Sequence, residues 1–303
     1  MALELKYRPK KLKDIVGNED VIQQLKINFN QKKQTANKQT VLLHGPRGCG
    51  KTTLARILSE RVGCSHVQEY DIASLGGIET AREISDTARG KSVFGGNKAY
   101  ILDEVHKGTK HFFNALLKIL EEPPNHVFFF LCTTNPEQVI TTVKSRCVQY
   151  QVENLTVKEC SNLLNKVISA EKASVSKEAV KTISKNCEGI PREALIMLDQ
   201  IIKLPIKEQT KIAETLVTSE KEIKTLCRAL LEKKKWKAIK SILAGLSKEE
   251  PETVRRTVLN YMNSVVMNSE NDQAFIIIDF FKEPFYNSGR AGLSLACWES
   301  ILS

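Results

Sequence analysis

No apolar run in this chain approaches the roughly 20 residues needed to cross a bilayer, and the opening MALELKYRPKKLKD has no apolar h-region. Membrane-spanning and secreted proteins are set aside, and the expectation is a protein of the bacterial cytoplasm or of a phage-infected host. The eight cysteines, at 49, 64, 132, 147, 160, 187, 227 and 297, include no Cys-x-x-Cys pair, which speaks against a zinc site. In a reducing compartment they read as small, partly buried side chains. Neither an internal repeat nor a low-complexity tail is present. Neither charge sign is scarce, but the balance is uneven. Residues 1–150 hold 22 Lys/Arg against 15 Asp/Glu, a net +7 of the chain's +10. An excess on one half suits a polyanion partner, although a modestly basic protein is common. With 42% hydrophobic and 26% charged residues in 303, the chain can build two or three globular units.

Up to about residue 152, strand-like and helix-like segments alternate, the pattern of a parallel sheet flanked by helices. Thr40–His44, Ala99–Asp103 and Val127–Thr133 are short apolar runs of the kind that form buried parallel strands. Helical periodicity follows at Lys51–Val62, Gly77–Ala88 and Thr109–Leu120, the last ended by Pro123-Pro124. Beyond Val152 the strand pattern stops. Thr156–Ala170, Ser176–Asn186 and Pro191–Ile202 read as three amphipathic helices, the first two with a Thr or Ser N-cap candidate. Pro205 is a plausible linker, and the remainder is helical. The expected domains are a core over 1–153, a helical lid over 154–205 and an all-α domain over 206–303.

Gly45-Pro46-Arg47-Gly48-Cys49-Gly50-Lys51-Thr52 matches G-x-x-x-x-G-K-[ST] after a strand and before a helix, with Thr53 next inside the helix. Its glycines let backbone N–H groups turn toward a β-phosphate, and the helix N-terminus adds positive potential. Lys51 is expected to reach the β- and γ-phosphates and Thr52 to ligate Mg²⁺, so ATP and Mg²⁺ are the implied ligands. Asp103-Glu104 closes the strand AYILD, where one carboxylate can hold the Mg²⁺ shell and the next polarise a water. Thr133-Thr134-Asn135 ends the following strand and could orient that water, or be an ordinary turn before Pro136. Arg146, in Ser145-Arg146-Cys147, has no carboxylate nearby in sequence and is expected to point outward. It reads either as a solvated arginine or as a finger that completes a neighbour's site.

The string DEVHKGTKHFFNALLKILEEPPNHVFFFLCTTNPEQVITTVKSRC resembles the ATPase core of bacterial clamp-loader gamma/tau subunits and is similar to replication factor C small subunits. Lys6-Tyr7-Arg8-Pro9, with Asp14-Ile15-Val16-Gly17, resembles the opening motif that packs around adenine in those families. Gly189-Ile190-Pro191-Arg192 resembles their sensor 2 motif. The likeness spans about residues 4–200. It implies a P-loop AAA+ core, a three-helix lid and a helical collar that holds subunits together. By the same resemblance Asp103 takes the Mg²⁺ role, Glu104 the water-activating role and Thr134 the sensor 1 position, with Asn135 the alternative. Arg146 becomes a trans-acting finger, and Arg192 reaches ATP from the lid.

The resemblance also implies the partners: a sliding clamp, other loader subunits in a pentameric spiral, and primer-template DNA. DNA contact is expected near Gly77, Ile78 and Arg82, with Lys107 and Lys110 added by charge. Lys233–Lys237, with Trp236 packed inward, reads as a solvated helix face. Two departures stand out. Only Cys64 remains of the four-cysteine zinc module that follows the P-loop helix in the bacterial subunit, and there is no long C-terminal extension of the tau type. The rival readings are a branch-migration AAA+ motor and a loader subunit that does not hydrolyse ATP.

Overall fold

A computed structural model describes residues 1–30, 35–36, 39–90, 95–269 and 271–302. Contacts divide the chain into two compact units, Met1–Thr210 and Lys211–Ser303. The first is built on five parallel strands: β1 (Thr40–His44), β2 (Cys64–Asp71), β3 (Asn97–Asp103), β4 (Val127–Thr133) and β5 (Val148–Gln151), in spatial order β2-β3-β4-β1-β5. Its longer helices are α1 (Glu19–Asn28), α2 (Lys51–Arg61), α3 (Ile78–Arg89), α4 (Lys110–Glu121), α5 (Val157–Ala170), α6 (Lys177–Asn186) and α7 (Pro191–Ile201).

Alternation along the central strands fills both faces of the sheet. Leu42, Tyr100, Leu102, Phe129 and Leu131 pack with Ile84 of α3 and Phe112, Leu116 and Leu120 of α4. Val41, Leu43, Ile101, Phe128 and Phe130 pack on the other side with Leu54 and Leu58 of α2 and Leu25 of α1. All seven residues of β4 are buried, so its sequence is a continuous apolar run. β2 is different. It lies at the sheet edge and carries the mostly polar string CSHVQEYD, with several side chains in water, which is why periodicity does not reveal it.

Helices α5 and α6 begin on side-chain caps, and α7 on a proline. Thr156 and Glu159 form a reciprocal capping box at α5, Ser176 accepts from Ala179 N–H at α6, and Pro191 occupies the first turn of α7. Seven of the cysteines are buried and Cys64 is half-buried. The Cys160 and Cys187 sulfurs lie 3.5 Å apart between α5 and the end of α6.

The second unit is helical: the latter part of α8 (Ile206–Leu231), then α9 (Trp236–Gly245), α10 (Pro251–Asn268), α11 (Asp272–Phe281) and α12 (Gly289–Leu302). They share one core that includes Leu226, Ile239, Val258, Ile277 and Leu293. Lys233–Lys235 do not lie on a helix face as expected. They form the turn between α8 and α9, where Lys233 adopts a left-handed φ of 47° and ends the helix. Trp236 begins α9 half-buried, its ring edge-on to Trp298 at 5.2 Å.

Candidate nucleotide-binding site

The strand order puts β1 between β4 and the edge strand β5, so the loop leaving β1 emerges at the sheet's C-terminal edge, where open α/β sheets bind ligands. The opening residue, Gly45, donates its N–H to Thr133 C=O at 3.2 Å. Gly48 and Gly50 have φ of 77° and 107° and turn the chain into α2. No side chain caps α2, so the N–H donors of its first turn remain for a ligand. The Lys51 ammonium is buried and donates to the Gly45 and Pro46 carbonyls at 2.8 and 2.7 Å, which compensates its desolvation.

The loop opens on a cavity of about 620 Å³. Arg47, Gly48, Cys49, Gly50, Lys51, Thr52 and Thr53 supply one wall, and Tyr7, Arg8, Pro9 and Val16 a second. Asp103 and Glu104 lie at its floor-forming strand end, and Arg192 enters from α7. Gly17 sits behind this lining, where an added Cβ would meet Leu155 Cδ2 at 2.5 Å. Gly189, at φ 73°, lets the chain pass the Leu155 carbonyl into α7, so that Arg192 Cβ stands 3.9 Å from where a Cβ on Gly48 would be.

Positive charge dominates this cavity. Arg8 is held below its ordinary pKa by burial and then by the neighbouring Arg56 and Arg192 guanidiniums, with Glu69 and Glu4 acting in the opposite sense. Crowding of like charges is costly unless an anion joins them.

Thr52 donates its hydroxyl to Asp103 Oδ2 at 2.7 Å, from the first turn of α2 to the end of β3. A hydroxyl and a carboxylate oxygen suit a hard cation such as Mg²⁺ that arrives with phosphates. Among the described residues no group of three His, Cys, Asp or Glu could cage a metal on its own. Glu104, next in the chain, has a left-handed φ of 48°, rare for a residue with a Cβ, and its N–H donates to Asp103 Oδ1 at 3.0 Å. Thr134 donates its hydroxyl to Glu104 Oε2 at 3.3 Å, whereas the Asn135 main chain donates to Thr133 Oγ1 at 3.0 Å.

Arg146 requires a correction. Its guanidinium donates to Glu121 Oε2 from Nε at 3.1 Å and Nη2 at 2.6 Å, and from Nη1 to Thr142 C=O at 2.7 Å. The carboxylate lies 25 residues upstream, at the end of α4, and folding brings it there. Neither Arg146 nor Glu121 lines the cavity.

The DNA candidates meet elsewhere on the same unit. Thr109 donates through both its N–H and its hydroxyl to Gly76 C=O, at 3.1 and 3.2 Å, so the N-termini of α3 and α4 lie side by side. Gly77, Ile78 and Lys110 start those helices, Lys107 lies in the preceding turn, and Arg82 is exposed on α3.

Three sets of residues escaped sequence reasoning. Arg56 lies one turn beyond Thr52 on α2, lines the cavity, and is held by Glu69 through two 2.6 Å bonds. Its i+4 spacing from Thr52 was the available signal. Leu163, Lys166 and Val167 of α5 and Leu195 of α7 also line the cavity, with nothing local to set them apart. His106 stands beside Glu104.

The fold and the site define a P-loop nucleotide-binding protein of the AAA+ class. The family described as the DNA polymerase III delta subunit matches residues 72–156, and the Rad17 P-loop domain family matches residues 4–95. The Bacillus subtilis DNA polymerase III subunit tau is 32% identical over 267 residues, covering 80% of this chain and 47% of that protein. Escherichia coli tau is 33% identical over 66% of this chain and 34% of its own length. Buchnera aphidicola subunit gamma is 33% identical over 67% of this chain and 61% of its own length. Among solved structures, the Thermotoga maritima RuvB Holliday junction branch migration motor overlays with a TM-score of 0.59 at 21% identity, covering 73% of this chain and 79% of that one. That likeness concerns the fold alone. The chain is a homologue of the tau and gamma subunits of DNA polymerase III, and it spans about half the length of the first of those curated relatives.

Proposed function

We propose that this chain is an ATP-hydrolysing subunit of a sliding-clamp loader that acts at primer-template junctions in the cytoplasm. The observation that carries the reading is the meeting of Thr52 and Asp103 beside an uncapped P-loop helix, in a chain about a third identical to the tau and gamma subunits.

Adenine would lie between Tyr7–Pro9, Val16 and the lid helix α5, with the triphosphate along Gly48–Thr53. On binding, Lys51 exchanges its two carbonyl acceptors for phosphate oxygens, and Arg192 reaches the phosphates from the lid. Thr52 and Asp103 would hold Mg²⁺, which supplies charge neutralisation at the β- and γ-phosphate oxygens. Glu104 orients a water in line with the γ-phosphorus and accepts its proton as the bond to the β-phosphate oxygen breaks, which yields ADP and phosphate. Thr134 fixes one oxygen of that carboxylate.

Arg146 would serve the site of an adjacent subunit, which first requires release from Glu121. Residues 154–205 act as the lid, and 206–303 as the collar of a pentameric spiral. DNA inside the spiral meets the paired N-termini of α3 and α4 with backbone-directed, sequence-independent contacts.

The test is steady-state ATP turnover of the full chain with its loader partners, with and without clamp and primer-template DNA, beside Arg146→Ala. Synergistic stimulation by clamp and DNA that collapses in Arg146→Ala supports the reading. Turnover indifferent to the clamp refutes it and points to another AAA+ machine.

A further inference from the structure

Beside the proposed water-activating carboxylate lies a buried imidazole to which the mechanism above gives no task. His106 is the third residue after Asp103, in the single helical turn Val105–Lys107, and its side chain is 1% exposed, against 36% for Glu104. Its Nδ1 lies 3.0 Å from Thr133 Oγ1 and 3.4 Å from Glu104 Oε2. A carboxylate can only accept, so in the tautomer that carries its proton on Nδ1 this nitrogen is the donor toward Thr133 Oγ1 and Glu104 Oε2. Thr133 is fully buried at the end of β4, and its carbonyl receives the N–H of Gly45, where the P-loop begins. A chain of contacts therefore runs from the phosphate-binding loop through Thr133 and His106 to Glu104.

Glu104 needs such a support. Its backbone is left-handed at φ 48°, and a half-exposed carboxylate has rotamers that turn it toward solvent. Two contacts, from Thr134 at 3.3 Å and His106 at 3.4 Å, converge on the same oxygen. We propose that His106 is a positioning residue for hydrolysis: anchored by Thr133, its Nδ1–H holds the Glu104 carboxylate in register with the P-loop. This rests on the hydrolytic reading of the site, and it adds that the reach of the general base is set from the end of β4.

The contacting atom makes the inference testable in the full chain with its partners, by ATP turnover and by equilibrium binding of a fluorescent ATP analogue. Loss of the base itself, in Glu104→Gln, should lower kcat by about 10²–10⁴-fold. His106→Ala should lower kcat by about 10- to 100-fold, a fraction of that loss, with analogue affinity within about 2-fold. His106→Asn, whose amide nitrogen takes the place of Nδ1, should recover most of the rate; His106→Gln, which imitates Nε2, should behave like Ala. The double variant His106→Ala/Glu104→Gln should be no slower than Glu104→Gln alone.

Equal rates for Asn and Gln, additive losses in the double variant, or a His106→Ala defect that appears in analogue affinity would overturn the proposal. So would unchanged kcat in His106→Ala while Glu104→Gln is inactive. Full turnover in Glu104→Gln would instead refute the hydrolytic role assigned to Glu104. Circular dichroism of each variant identifies any that fails to fold, and His106→Asn then carries the comparison.

Discussion

Gly45→Ala should destabilise the nucleotide-binding unit more than Gly50→Ala, although the motif asks for glycine at both positions. A Cβ on Gly45 would stand 1.9 Å from the Val152 carbonyl oxygen, where contacts under 3.0 Å are essentially never found. That oxygen is main chain, and its residue is tied by an N–H bond to His44 C=O at 2.8 Å, so no side-chain rotation relieves the overlap. Either β1 or the segment after β5 must move by about 1 Å, an overpacking cost of ~1–3 kcal/mol. To this is added ~1–3 kcal/mol for a side chain at φ 146°. Gly50, at φ 107°, has nothing within 4 Å of an added Cβ, so only the conformational cost of ~1–3 kcal/mol applies.

The expected difference is therefore ~1–3 kcal/mol, about 2–4 °C in Tm for each kcal/mol in a unit of this size. Hydrogen exchange resolved on the amides of β1 and β4 measures it directly. Both tryptophans, Trp236 and Trp298, belong to the second unit, so their fluorescence provides an internal control that should not move. Equal destabilisation by the two substitutions, or a larger effect at Gly50, would refute the view that close approach to Val152 selects glycine at Gly45.

Arg146→Ala should reduce clamp- and DNA-stimulated turnover about 10³-fold or more, with ATP affinity nearly unchanged, read in the assembled loader. Glu121→Gln should act in the opposite direction: a partly exposed pair holds the finger by only ~0.2–1 kcal/mol, so its release raises stimulated turnover by at most about 5-fold. Thr52→Val should raise the Mg²⁺ concentration for half-maximal turnover by about 10-fold or more, since loss of even a metal ligand's hydrogen-bond partner costs about 10–100-fold in affinity. Glu252 gives a pH prediction for the second unit. Its hydrogen bond from Arg255, with further help from the Phe285 N–H and Arg256, holds its carboxyl at about 2 against an ordinary 4.5. A folded pKa below the unfolded one means that this stabilisation is present above about pH 4.5 and drains away as pH falls toward 2. Glu252→Gln should flatten that acid limb in a tryptophan-fluorescence titration and lower stability at neutral pH.

The buried strands, the P-loop and the caps of α5 and α6 were legible because each is a local pattern: an apolar run, a glycine spacing, a Thr or Ser ahead of an amphipathic segment. β2 was not, since an edge strand with its side chains in water has no apolar run to recognise. The Glu121–Arg146 pair was invisible for another reason. Its partners are separated by α4's end, β4 and a turn, and no spacing rule links them. Leu163, Lys166 and Val167 of α5 likewise differ from their neighbours only once that helix has been brought to the cavity.

The centre of the site is accordingly a property of strand ends more than of motifs. β1 delivers the phosphate loop, β3 delivers Asp103 and Glu104, and β4 delivers Thr133 and Thr134; parallel register brings His44 level with Thr133. Thr133 is then the shared point. Its carbonyl receives Gly45 N–H, and its hydroxyl faces His106 Nδ1 and receives Asn135 N–H. If His106 positions Glu104 as proposed, a displacement at the P-loop, such as lengthening of the Gly45–Thr133 bond when Lys51 leaves its carbonyls for phosphate, should reach Glu104 through the side chains of Thr133 and His106. Thr133→Val keeps the shape of the strand end but removes that hydroxyl. It should therefore lower kcat about as much as His106→Ala while ATP affinity is retained; a Thr133→Val enzyme with normal kcat would mean that the base is positioned without β4.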